Sequence, residues 1–226
     1  MNKLKLVFNI LIVVFFFSCN KKNETEKKVN SNKVEIKKDT ATKKFLPQSH
    51  KEEVNNIGEN IKNFIPENYA VLDTVSGNLN LDNFVDMIVV LKKIGEEKTS
   101  DVINNPEKRP LLILIGEAKN KFKLAERNDN TVYCIDCGGI MGDPFMEIVI
   151  KNGYFSVEHY GGSAWRWTRV ITYKYSKEEN NWFLHKDGGE SFHATEPEKV
   201  EKSIKTTKDF GKVLFKDFDI YEDDDE

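Results

Sequence analysis

Cysteine is scarce in this chain, with three residues among 226, and histidine is little commoner, with four. Cys134 and Cys137 make one Cys-x-x-Cys pair, and Cys19 stands apart. A structural zinc site takes about four Cys or His ligands. Here His159, His185 and His193 are scattered along the chain, and no second paired motif exists. A c-type haem needs histidine directly after the second cysteine, where Gly138 stands. The sequence around Ser163, Gly-Gly-Ser-Ala-Trp, lacks the Gly-x-Ser-x-Gly elbow of acyl-transfer enzymes. Basic charge is also limited: 34 Lys and Arg face 37 Asp and Glu, for a net charge of −3. With no basic stripe beyond residue 44 to neutralise phosphates, nucleic acid is not an expected partner. The longest apolar run, 6–17, contains Asn9 and falls short of the roughly 20 residues a spanning helix requires.

What is present begins at the N-terminus, where Lys3 and Lys5 precede that run and Ser18 and Cys19 follow it, the order of an export signal. Phe16-Phe17-Ser18-Cys19 resembles the lipobox of bacterial lipoproteins, which usually has Leu and a small residue in place of Phe16 and Phe17. The resemblance implies a signal peptide over 1–18 and cleavage before Cys19. The cysteine would then be acylated, as by palmitate, and become the new N-terminus. Each buried methylene contributes about 0.8 kcal/mol, so several acyl chains anchor far more firmly than one. Asn20 rather than Asp after the lipidated cysteine implies, by the same resemblance, an outer-membrane location facing the periplasm of a Gram-negative cell.

Residues 19–44 are almost all Lys, Asn, Glu, Thr and Ser, too polar to offset the entropy of ordering, and read as a disordered tether. The alternative, a basic patch for lipid headgroups, is diluted by Glu24, Glu26, Glu35 and Asp39. Residues 45–220 suffice for a single core, and 221–226 form an acidic tail.

Within that domain Ser49 and Glu52 fit a helix cap, with Val54, Ile57, Ile61 and Phe64 at helical spacing up to Pro66. The period then changes to two. YAVLDTV, FVDMIVVLKK, PLLILIGE, KFKLAER, TVYCID, FMEIVI, YFSVEHY, TRVITYKY and NWFLHKD are predicted strands separated by turn residues. Asn152-Gly153 predicts one tight hairpin and 176–181 a second. Thr195 to Glu198 predicts a short helix carrying Val200 and Ile204, and KVLFKDF (212–218) a closing strand. The fold class expected is α+β and mainly antiparallel β: short strands in twisted sheets, propeller-blade-like or sandwich, with one N-terminal and one C-terminal short helix.

Three segments are candidate sites. If Cys19 carries lipid, Cys134 and Cys137 are the only thiols left in an oxidising compartment, and they should pair. The reading is a small disulfide loop pinning a turn, since a thioredoxin-like centre needs a helix N-terminus and the flanks read as a strand entering a glycine-rich turn. The stretch 76–86 places oxygen-bearing side chains at alternate positions and resembles the aspartate-rich loop of FG-GAP and VCBS repeats. That resemblance implies calcium as a cofactor, held by Asn78, Asn80, Asp82, the Phe84 carbonyl and Asp86. The alternative is that these side chains satisfy their own backbone with no metal. Trp165 and Trp167 alternate with Arg166 on a predicted strand, so the indoles share one face. They serve either as core or as a contact surface for a sugar or another planar ligand.

The pairing of CGGIMGDPF with HYGGSAWRW resembles a group of exported bacterial proteins of uncharacterised activity that share a Cys-Gly-Gly segment, a Gly-Asp-Pro-Phe turn and a Trp-Arg-Trp strand. It implies a shared fold over about residues 65–185 and no activity. The expected role is therefore a lipid-anchored envelope protein with a non-enzymatic binding or assembly function, its partners the membrane and an envelope protein or glycan. The alternatives are a calcium-stabilised binding module, a hydrolase using His159, Asp143 and Ser163, and a thiol oxidoreductase using Cys134 and Cys137.

Overall fold

The runs MIVVL (87–91) and LLILI (111–115) contain no polar break, so strands built from them need cover on both faces. The computed structural model, which describes residues 60–222, supplies that cover. Strands β1 (Tyr69–Gly77), β2 (Asp86–Lys93), β3 (Leu111–Glu117) and β4 (Lys121–Asn128) form a four-stranded antiparallel meander. A second, five-stranded meander comprises β5 (Phe145–Lys151), β6 (Tyr154–Gly162), β7 (Trp165–Ser176), β8 (Asn181–His193) and β9 (Glu201–Thr206). Ile88, Val90, Leu111 and Ile113 share one core with Phe155, Val157, Ile171, Tyr173 and Trp182 of the second sheet. Met87, Val89, Leu112 and Leu114 face the other way and cluster with Ile61, beside Phe64 and Tyr69. Two short helices, α1 (Glu96–Thr99) and α2 (Thr207–Phe210), complete a mainly antiparallel β structure of two sheets, as expected.

Turn chemistry fixes the hairpins. Asn152 and Gly153 adopt φ of 50° and 76°, the left-handed pair a two-residue hairpin requires, and Lys151 pairs with Tyr154 across them. The signal peptide, Cys19, the tether, residues 49–59 of the predicted first helix and residues 223–226 lie outside the described residues. Of that helix, its end is seen at Asn60 and Ile61, followed by a 3-10 turn, Lys62–Phe64.

Three expectations are corrected. TVYCID (131–136) is not a strand. It runs between the two sheets with Thr131, Val132 and Cys134 all buried, so its apolar character reflects enclosure rather than a ladder. The predicted helix beyond Thr195 is replaced by turns and by β9, which pairs with β8. Val200 and Ile204, four apart, share a face in a helix and in a strand alike, so their spacing could not discriminate. The capping box lies further on, where Thr206 and Asp209 open α2. Finally, 212–218 makes a single bridge, Leu214 to Phe183, and then a 3-10 turn, Phe215–Asp217. The Asn128 side chain holds that segment by donating to the carbonyls of Phe215 and Phe218, in place of a backbone ladder.

The ends of the sheets are joined through Arg109, whose side chain has no exposed surface. Its Nε and Nη2 donate to Glu96 at the start of α1 (3.2 and 2.6 Å). Its Nη1 and Nη2 donate to Asp143 in the turn before β5 (both 2.7 Å), and Nη1 also reaches the Tyr133 carbonyl (3.3 Å). All five guanidinium N–H groups are thereby engaged. Burial works against the charge, but hydrogen bonds and charges from Asp143 and Glu96 outweigh it and raise the pKa. Replacing Arg109 by Met leaves Glu96 buried and uncompensated, and should cost about 3–5 kcal/mol in urea denaturation. Arg127→Ala, which breaks an exposed pair with Asp129, should cost about 1 kcal/mol or less.

Candidate functional site

The three segments CGG, GDPF and GGSAWRW meet at one end of the second sheet. Cys134 and Cys137 form a disulfide, with Cα atoms 5.1 Å apart. A 3-10 turn, Gly139–Met141, follows where a thioredoxin-like centre would start a helix, and Cys134 is fully buried. Cys134, Asp136 and Cys137 lie close enough to share an ion, but the sulfurs are bonded to each other rather than available as thiolates. Asp136 instead accepts from Ser100 Oγ (2.6 Å) and Val102 N (3.1 Å), tying the disulfide turn to the loop that follows α1. On its other side Gly138 O accepts from Gly162 N (2.9 Å), and Gly138 N donates to Gly142 O (3.0 Å). Only glycine fits at 161, since a Cβ there would lie 2.5 Å from the Trp167 ring.

The groups of the hydrolase reading are engaged elsewhere. His159 is 1% exposed. Its Nε2 accepts from Tyr133 N (3.4 Å), and neither ring nitrogen bonds Ser163 or Asp143. Burial, and then the charge of Arg169, lowers its pKa to about 3, so the ring is neutral. Both Asp143 oxygens accept from Arg109, and Ser163 sits exposed in the β6–β7 turn. No Ser–His–Asp relay is formed.

The asparagine-rich loop is organised around its own backbone. Asp86, fully buried, accepts from Leu79 N (2.7 Å), Asn80 N (3.2 Å) and Gly116 N (3.0 Å). Burial raises its pKa, opposed by those hydrogen bonds. Asn78 Oδ1 accepts from Leu81 N (2.6 Å) while its Nδ2 donates to Asp82 O (2.6 Å), so backbone partners fix the amide orientation. Asn80 is fixed in the same way, with Oδ1 on Asp82 N and Nδ2 on Asp82 Oδ2. Asp82 Oδ1 accepts from Phe84 N (2.6 Å). The Asn78 and Asn80 amides and the Asp82 carboxylate are thus hydrogen-bonded within the loop itself, as side chains that satisfy their own backbone would be. The loop seats Leu79 in the core, where its carbonyl accepts from the Trp182 indole (3.1 Å).

Trp165 and Trp167 share a face of β7 as expected, but at different depths. Trp165 is 55% exposed, with the His193 ring 5.4 Å away. Trp167 is half-buried, in a T-shaped contact with Tyr133 (ring centroids 5.7 Å apart). Arg166, half-buried, takes the opposite face, paired in register with Gly162 and Phe192. Beyond Trp167 the same face carries Arg169 and then the core residues Ile171 and Tyr173. Arg169 forks onto Asp187 through Nε (3.1 Å) and Nη2 (2.7 Å), and its Nη1 donates to Tyr133 Oη (2.7 Å) and Ile220 O (3.4 Å). Burial opposes its charge, yet the Asp187 hydrogen bond foremost raises its pKa.

Above Arg169 opens a cleft of about 530 Å³, with β7, β8 and β9 as floor and Tyr133 and Ile220 at its wall. A Cβ at Gly189 would lie 1.9 Å from Thr168 O, so the floor is glycine by necessity. Sequence reasoning missed Arg109, Glu96, Arg169 and Asp187. The available signal for the cleft was Gly188-Gly189 inside a strand pattern, which marks close backbone approach. Compared with family models, curated proteins and solved structures, the chain matches none.

Two outcomes are expected. His159 is neutral when folded, whereas the unfolded chain binds its proton below pH 6.5. Stability should hold steady above that pH and decline as pH falls from 6.5 toward about 3, by a few kcal/mol in all. The variant His159→Gln, which keeps an acceptor for Tyr133 N, should show a shallower decline in urea midpoints. The melting temperature should be the same in millimolar calcium and in chelator, because a ligand that binds the folded state raises it by mass action.

Proposed function

We propose that this chain is an envelope lipoprotein, held through acylated Cys19 at the outer membrane and facing the periplasm, whose β domain binds a partner without catalysing a reaction. The observation that carries the binding role is the division of labour among its polar groups. His159, Asp143 and the disulfide all hold the fold together, while Trp165 stands 55% exposed beside His193. The neighbouring 3-10 turn adds Ile140, 84% exposed. Large apolar side chains gathered at one end of a sheet are the usual mark of a contact surface. The N-terminal lipobox resemblance supports the anchoring half of the reading. Among the described residues no helix is long and apolar enough to cross a membrane.

The anchor is tested by metabolic labelling with a tagged palmitate. The wild-type chain should take the label and sediment with membranes, and Cys19→Ala should lose both properties. Membrane attachment without label would overturn this half. For the binding role, material that co-purifies with the full chain from its own envelope should be lost in Trp165→Ala. That variant's melting temperature should stay close to wild type, since an exposed substitution changes stability by only about 0.5 kcal/mol. Unchanged recovery would contradict an aromatic contact.

A further inference from the structure

We infer that the cleft over β7, β8 and β9 is a binding site for a neutral, hydroxyl-rich ligand, a glycan chain, a specification that rests on the binding role proposed above. Its volume of about 530 Å³ lies inside the roughly 300–1,000 Å³ range of small-ligand sites.

Charge decides against an anion. Arg169, Lys202 and Lys205 are the cations that line the cleft, and Arg169 has its Nε and Nη2 on Asp187 and its Nη1 on Tyr133 Oη and Ile220 O. No parallel pair of N–H groups remains to fork onto a phosphate or carboxylate. Lys202, at the rim, is paired with Glu190. Asp187, Glu190, Glu201 and Glu222 line the cleft against Arg169, Lys202 and Lys205, so its acidic side chains outnumber its basic ones by one and disfavour a further negative charge.

What the cleft offers instead suits a sugar. Tyr133 and Trp167 line the cleft, and an aromatic side chain there can take the C–H face of a pyranose. On the floor, Ser191 pairs with Trp167 and with Glu201, and Ser203 pairs with Gly189, so these polar groups share the face that carries Trp167 and Arg169. A serine hydroxyl both donates and accepts, and a carboxylate accepts. This is the mixed capacity that recognition of neighbouring sugar hydroxyls requires. Gly189, paired with Arg169 and Ser203, puts no side chain on that face between them, leaving room for a ring to approach the strands.

The wall is also rigid. Tyr133 is fixed at three points: its hydroxyl by Arg169, its carbonyl by Arg109 and its N–H by His159. A preorganised aromatic wall loses little entropy when a ligand arrives.

The test uses the full chain and a panel of neutral oligosaccharides: the tetramer of β-linked N-acetylglucosamine, cellotetraose, maltotetraose and mannotetraose. Binding is followed by tryptophan fluorescence and calorimetry. At least one sugar should bind saturably at millimolar concentration or below, and inorganic phosphate should not compete. Ser203 is exposed on edge strand β9. Ser203→Trp fills the cleft without touching the core, and it should weaken that binding at least about tenfold while circular dichroism stays unchanged. Trp165→Ala, outside the cleft, should leave it within about twofold. Absence of saturable binding to every sugar, or binding undiminished in a folded Ser203→Trp protein, would overturn the inference. If sugars fail while Trp165→Ala still strips the co-purified partner, the glycan site falls and the binding role stands. Sugar binding together with an unaffected partner would leave the glycan site and remove the aromatic contact.

Discussion

Arg109 carries a full charge with no exposed surface, and the meeting of the two sheets depends on what surrounds it. Its donors are divided among three places: the start of α1, the linker at Tyr133 and the turn before β5. Compared with a well-packed apolar substitute, such a cluster adds little net stability. What it adds is direction. Hydrophobic contact between Ile88, Val90 and the second sheet would tolerate sliding, because burial is not directional. Five hydrogen bonds on one planar group would not.

The same linker carries the constraint to the cleft. Cys134 is pinned next to Tyr133 by the disulfide, and Asp136 grips the loop after α1. Tyr133 then reaches Arg169, which with Asp187 shapes the floor over β7 and β8. A chain of satisfied polar groups thus runs from Arg109 through Tyr133 to Arg169. His159 is packed beside Tyr133 with ring centroids 5.0 Å apart, and is kept neutral by its burial. These groups look catalytic in a sequence because histidine, aspartate and cysteine often are. Here His159 accepts from Tyr133 N, Asp143 accepts from Arg109 and the two cysteines are bonded to each other.

Much of the fold was legible because strand period and turn chemistry are local. β1 to β6 lie where strand pattern and punctuation place them, β7 and β8 run beyond TRVITYKY and NWFLHKD to Trp165 and His193, and Asn152-Gly153 turns as its residue types demand. Failure came where the deciding partner was distant. Nothing near TVYCID says that it will pass between two sheets, and nothing near Val200 says that Gly188 and Gly189 will accept a strand beside them. The disulfide was legible from compartment logic, and the shared face of Trp165 and Trp167 from period two. Arg169 and Asp187 were not, because an ion pair across neighbouring strands depends on register, and register depends on the bulge between Thr172 and Tyr173. The loop 78–86 was legible as a tight loop. That its amide nitrogens are taken by the Asp82 carbonyl and carboxylate depends on how the loop closes.

The central claim is that the Arg109 cluster and the shared core make both sheets one cooperative unit. Native-state amide hydrogen exchange reads this most directly, since slowly exchanging amides report the free energy of the opening that frees them. Amides of β2 and β3 in the first sheet and of β6 and β7 in the second should converge on a single opening free energy equal to that of global unfolding. Two separate values, with one sheet exchanging well before the other, would contradict the account.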